Sequence, residues 1–221
     1  MKPDGTTDDE AEIYYYRQDF WNGYDFTDER LLRTPVYFNK LKRYMLELTP
    51  QTPDSVIKYA DIVSMKSKAD KQIFKFTVNW IAVHYKDAKM MGRDAVHVFM
   101  VNKYWTPDHA FWEKDYEIEK LRMQAKQMEV SLLGKIGQDI KGANEFGQPI
   151  SLYDIKARFT VIFIFSYDCG NCKKETPKLM KVYNEWKNKG MDVCSICIDG
   201  DKDKWKVYLK EHNMTFHNIF D

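Results

Sequence analysis

Thr160-Val161-Ile162-Phe163-Ile164-Phe165-Ser166 runs into Tyr167-Asp168-Cys169-Gly170-Asn171-Cys172-Lys173-Lys174-Glu175-Thr176-Pro177. The first stretch reads as a buried β-strand, because its β-branched and aromatic residues suit a pleated surface and no charge interrupts them. The second reads as the first turns of a helix. A helix N-terminus carries unpaired N–H groups and partial positive charge, and both favour a thiolate over a thiol. Two cysteines three apart on such a turn can close a short disulfide and open it again. The pattern predicts a dithiol/disulfide exchange site at Cys169 and Cys172. A second cysteine three residues from the first favours redox chemistry over a cysteine hydrolase.

The chain has two more cysteines, Cys194 and Cys197, so the spacing C-x2-C-x21-C-x2-C invites a zinc site. Met191-Asp192-Val193-Cys194-Ser195-Ile196-Cys197-Ile198-Asp199, however, reads as a buried strand. Positions i and i+3 of a strand face opposite ways, with Cα atoms about 10 Å apart. A disulfide needs a Cα separation below about 7 Å. Cys194 and Cys197 are therefore expected in the core, with no metal.

Around these segments the order is strand 160–166, helix 170–188, strand 191–198, helix 202–212, and an apolar end at Phe216–Phe220. Strand–helix–strand at these lengths predicts a parallel βαβ unit. Upstream, Gly134, Gly137, Gly142 and Gly147 mark a change of pattern near residue 130. Asn144-Glu145-Phe146-Gly147-Gln148-Pro149 reads as a turn between short extended segments, and Ser151–Asp154 as a helical turn. Residues 130–221 form the predicted α/β domain.

Residues 13–129 have a helical period instead. Thr34-Pro35, Thr52-Pro53 and Thr106-Pro107 each offer a capping hydroxyl followed by a proline suited to the first helical position. Helices are predicted after Pro35 and Pro53, over about 69–86 and 90–105, and from Pro107 to about 129. His84, on the apolar stripe of the third, reads as a core histidine. Residues 1–12 read as a flexible lead-in, and the aromatic run from Ile13 to Phe26 as packing onto the bundle. The fold class expected is α+β in two domains: an all-α bundle, then an α/β domain.

Composition narrows the function. With 34 basic and 33 acidic residues interspersed, nothing points to nucleic acid or an anionic membrane. No apolar run approaches the ~20 residues of a membrane span. Met1-Lys2-Pro3-Asp4-Gly5 lacks the apolar core of a signal peptide, so an exported protein would carry its signal outside this chain. Asp199, Asp201 and Asp203 imitate a calcium loop, but Lys204 and Lys210 stand where it needs Gly and Glu. No phosphate loop or G-x-S-x-G is present, and no bound cofactor is expected.

The run from Cys169 to Pro177, behind its strand and ahead of Leu179, resembles the thioredoxin superfamily. It is most similar to the TlpA/ResA-like branch of exported thiol-disulfide oxidoreductases, whose motif often reads C-x-x-C-[KR]-x-E-x-P. Leu133-Gly134-Lys135 with Gly147–Leu152, and Asp199–Trp205, extend the resemblance over about residues 132–221. Residues 13–128 resemble a helical domain of unknown function that precedes such domains in many Bacteroidetes proteins. The resemblance implies Cys169 as nucleophile, Cys172 as resolving thiol, Glu175 as an aid to proton transfer and Pro177 as a helix-kinking proline. It implies protein thiols or disulfides as substrates, a membrane or periplasmic redox partner, and a periplasmic or cell-envelope location.

Three departures accompany it. Phe163 stands where some members keep a buried acid, and Gly170-Asn171 is neither Gly-Pro nor Pro-His, which leaves reductant, oxidant and isomerase open. The family fold also continues into a strand pair, a cis-proline loop and a last helix that would come after Asp221. The expectation is a fragment with an incomplete α/β domain that keeps the dithiol, lacks full substrate binding and exposes a sheet edge open to self-association. An alternative of another class is an interaction protein whose helical domain binds a partner, with the redox site secondary.

Overall fold

The computed structural model describes residues 9–220. The chain divides into two compact units, Met1–Gly137 and Gln138–Asp221. The fold is α+β, with a helical N-terminal portion and a five-stranded mixed sheet in the C-terminal one.

The first unit contains α1 (Asp9–Asp19), α2 (Pro35–Arg43), α3 (Pro53–Ser67), α4 (Lys71–Lys86), α5 (Asp94–Tyr104) and α6 (Asp115–Glu129). Thr34 caps α2 by accepting the Val36 N–H at 3.4 Å, and Thr52 caps α3 by accepting that of Ser55 at 3.4 Å. Proline follows each as the first helical residue, where its missing N–H leaves no donor unpaired. Asp70 caps α4 through the N–H groups of Gln72 and Ile73. After α2 the chain makes one wide turn, Tyr44–Leu48, in which the Thr49 N–H reaches the Tyr44 carbonyl at 3.1 Å. The core is strongly aromatic. Trp21 packs on Phe26, Tyr37 and Tyr44, while Phe20 stacks on Tyr44 with ring centroids 5.6 Å apart. Buried Arg17 donates to the Leu48 carbonyl and to the Tyr59 hydroxyl.

Several expectations for this unit change. Helix α1 begins at Asp9, inside the segment read as a lead-in; residues 1–8 of that segment lie outside the described residues. Phe20, Trp21 and Phe26 pack inward, but Tyr14, Tyr15 and Tyr16 are exposed. Thr106-Pro107 does not start a helix. The Thr106 carbonyl accepts the N–H groups of His109 and Ala110, and its hydroxyl pairs with His109 Nδ1 at 3.0 Å, closing a local turn. Buried Ala110 ends that turn, and α6 starts only at Asp115. His84 is exposed and stacked on Trp80, because the buried stripe of α4 runs through Ile73, Val78, Ile81 and Tyr85. The buried histidine is His97, whose Nδ1 meets the Ala82 carbonyl at 2.9 Å.

The second unit runs β1 (Lys141–Ala143), β2 (Pro149–Ser151), β3 (Phe159–Phe165), α7 (Gly170–Trp186), β4 (Met191–Cys197), α8 (Lys202–Glu211) and β5 (His217–Phe220), with sheet order β2-β1-β5-β4-β3. β1 and β2 form an antiparallel hairpin whose turn includes Gly147 at φ +81°, a conformation that favours glycine. Gly142 is required for another reason: a Cβ there would stand 2.6 Å from both the Ile219 side chain and the Phe220 carbonyl oxygen. β3 pairs in parallel with β4, and β4 with β5, as the βαβ reading requires. β4 lies between β5 and β3, and buried Ser195 donates to Asn218 Oδ1 at 2.7 Å, pinning it to β5.

The reading of β3 as a buried strand is corrected. It is an edge strand, with Phe159, Ile162 and Ile164 exposed by 61%, 47% and 60%. An apolar run without charges reports that a strand can be buried, and it does not say on how many sides. Cys194 and Cys197 are both fully buried free thiols on opposite faces of β4, Cys194 packing with Ile196 and Ile219, Cys197 with Phe165 and Trp205.

Candidate redox site

Cys169 stands where β3 has ended and α7 begins. Phe165 closes the strand, the Cys169 N–H returns to the Ser166 carbonyl at 3.2 Å, and Cys169 becomes the N-cap of α7. Its Sγ accepts the Cys172 N–H at 3.4 Å, one of the helix donors that would otherwise lack a partner. That sulfur is held below the ordinary thiol range, first by the hydrogen bond with the Cys172 side chain and then by backbone donors of Cys172 and Asn171. Cys172 shifts the opposite way: burial raises it, and the hydrogen bond with Cys169 raises it further. Both are free thiols, half-buried. The arrangement can supply a thiolate at Cys169 while Cys172 keeps its proton.

The helix behind the thiols is anchored through Thr176. Its buried hydroxyl donates to the Cys172 carbonyl at 2.8 Å and pairs with the Tyr208 hydroxyl of α8 at 2.8 Å. Tyr208 stacks on Phe165 and His212. An open groove of about 330 Å³ adjoins Cys169, lined by Tyr167, Asp168, Lys173, Lys204, Val207 and Tyr208 among others.

Gly170 and Asn171 are exposed between the cysteines, and an added Cβ at Gly170 would meet open space. Pro177 lies inside α7, which continues through it to Trp186. Glu175 is exposed and paired with Lys178 at 2.7 Å, and its charge is not among the influences on either thiol. The carboxylate acting on Cys169 is Asp199, which in the sequence stands out only as part of a calcium-like run. Its Oδ2 accepts the Tyr167 N–H at 2.7 Å. Its place just past the end of the strand paired with β3 was the available signal, since the carboxyl ends of parallel strands converge. Asp201 caps α8 through the N–H groups of Asp203 and Lys204. Among the described residues no group of His, Cys, Asp and Glu is placed to hold a metal ion.

A β-hairpin feeding a parallel β-α-β-α-β run, with a C-x-x-C capping the first of its helices, defines a thioredoxin-like domain. Residues 133–221 match the AhpC/TSA family. Two curated relatives are similar to this region, both thiol-disulfide oxidoreductases ResA. The protein from Oceanobacillus iheyensis is 25% identical over 67 residues, 30% of this chain and 35% of that protein. The one from Bacillus cereus is 25% identical over 75 residues, 34% of this chain and 43% of that protein. The chain thus spans less than half the length of either. A thioredoxin-like protein from Bacteroides caccae shares the fold of the whole chain, with a TM-score of 0.70 at 16% identity, covering 100% of this chain and 80% of that one.

Proposed function

We propose that this chain exchanges disulfides with protein partners through Cys169 and Cys172, without a bound cofactor. The observation that carries the reading is Cys169 as N-cap of α7, its sulfur accepting the Cys172 N–H, beside a second thiol that burial pushes up. In the reducing direction the Cys169 thiolate attacks one sulfur of a substrate disulfide. A Cys169–substrate mixed disulfide forms, and the other substrate sulfur leaves as a thiolate that takes up a proton. Cys172 then loses its proton and attacks the Cys169 sulfur. The second substrate thiolate leaves, and the Cys169–Cys172 disulfide remains, two electrons having passed to the substrate. A dithiol of a membrane or periplasmic partner restores the site; run backwards, the same steps oxidise a substrate. Glu175, one turn beyond Cys172, is the residue that resemblance nominates to assist proton transfer. A periplasmic or cell-envelope setting fits the same resemblance.

Alkylation against pH tests this. Cys169 should react with iodoacetamide at a midpoint below the ~8.5 of a free thiol, and Cys172 above it. C172S should accumulate a mixed disulfide when given a disulfide-bonded peptide, releasing the other half as a thiol, while C169S should form neither that adduct nor an internal disulfide. Two thiols titrating like free cysteine, with no disulfide in a glutathione buffer, would sink the reading.

A further inference from the structure

Asp199 bears on the same site, so any role for it rests on the exchange reading. The β3–β4 register pairs Phe165 with Cys197, and the Ile198 N–H extends the ladder by bonding the Phe165 carbonyl at 3.1 Å. Asp199 is thereby carried to the loop between β3 and α7. Its Oδ2 takes the Tyr167 N–H at 2.7 Å, two residues before Cys169, and the Cys197 Sγ lies 4.0 Å from the same oxygen. The loop is thus tied at Cys169 by its own backbone and at Tyr167 by this side chain. Tyr167 is buried, so losing its acceptor would strand a backbone donor. An amide oxygen could accept that bond equally well. The carboxylate also brings a negative charge to the loop that presents the Cys169 sulfur, on which another forms, and like charges oppose one another.

We propose that Asp199 is a positioning residue for the exchange reaction: it holds the loop leading into Cys169, and its charge keeps the Cys169–Cys172 pair more reducing than the same site without it. The titratable groups around Cys169 are Cys172 on its own helix, Asp199 beyond β4 and Tyr208 on α8. Lys173 and Lys204 line the adjoining groove together with Asp168, Asp203 and Glu211, so that the groove carries both signs of charge. Among these groups Asp199 works against the thiolate: its charge raises Cys169, opposing the hydrogen bonds that lower it.

The test is Asp199→Asn in the full chain, because asparagine keeps an acceptor for Tyr167 and removes the charge. The alkylation midpoint of Cys169 should fall by about half to one pH unit, a roughly threefold to tenfold larger thiolate fraction below the midpoint. The dithiol–disulfide equilibrium with glutathione should move by a similar factor toward the dithiol, and a tenfold change corresponds to about 30 mV for this two-electron couple. An unchanged midpoint and equilibrium in D199N, with or without a loss of thermal stability, would leave Asp199 a loop anchor only and overturn the proposal, as would a shift of opposite sign. Should D199N fail to fold, D199S, also neutral, carries the same comparison. The two readings separate cleanly: a wild-type protein without a reversible disulfide defeats the exchange function, whereas normal exchange with D199N indistinguishable from wild type defeats only the role of Asp199.

Discussion

Four cysteines in one chain meet three different environments, and each environment dictates a chemistry. Cys169 has helix donors at its sulfur, Cys172 is raised by burial, and Cys194 and Cys197 sit in apolar clusters, Cys197 with Asp199 Oδ2 4.0 Å from its sulfur. Burial pushes the Cys194 thiol up to about 11. An unfolded chain loses that proton near 8.5, so the unfolded state holds fewer protons between those values and stability falls as pH rises. Urea unfolding of the reduced protein should therefore show an alkaline loss from Cys194 that is absent below about pH 8.5 and amounts to about 3 kcal/mol by pH 11. C194A should flatten that slope at a cost of about 1 kcal/mol near neutrality. Equal slopes for the two proteins would contradict it. Cys169 and Cys172 were legible from spacing alone, since helix capping is local. Asp199 was not, because it reaches Tyr167 across a separation of 32 residues that only strand pairing closes.

Elements show the same division between local and tertiary information. The caps at Thr34 and Thr52 follow from hydroxyl and proline, whereas Thr106-Pro107 has the same two residues and yields a turn because His109 and Ala110 take its hydrogen bonds. In β3, composition announced a strand, and its position at the edge came from the sheet order. A seven-residue strand without charge at an edge invites another strand to pair with it. Ile164→Lys, at an exposed position, should reduce concentration-dependent association in light scattering while shifting stability by no more than about 0.5 kcal/mol. Association unchanged by the lysine would place the contact elsewhere. The grip of α8 on α7 is equally open to measurement. Y208F leaves Thr176 bonded to the Cys172 carbonyl and should cost about 1 kcal/mol, while T176V strands the buried tyrosine hydroxyl and should cost about 1–3 kcal/mol. A double-mutant cycle with no coupling would show that the hydroxyl pair is not an anchor.

At the scale of the molecule, every cysteine lies in the second unit, and the first unit has its own aromatic core. Calorimetry of the whole chain should show that oxidising the dithiol moves the melting of the C-terminal unit and leaves the helical transition where it was. A single transition displaced as a whole would mean that the two units melt together. The opposed placement of Cys194 and Cys197 on β4 has one more consequence. Neither thiol can meet a reagent until the layers on its own side of the sheet part, so their labelling rates are two independent clocks. If the faces breathe separately, one cysteine is modified well before the other. If the domain opens only as a unit, both are modified at one rate, and the protein reports the cooperativity of its own sheet without any probe being added to it.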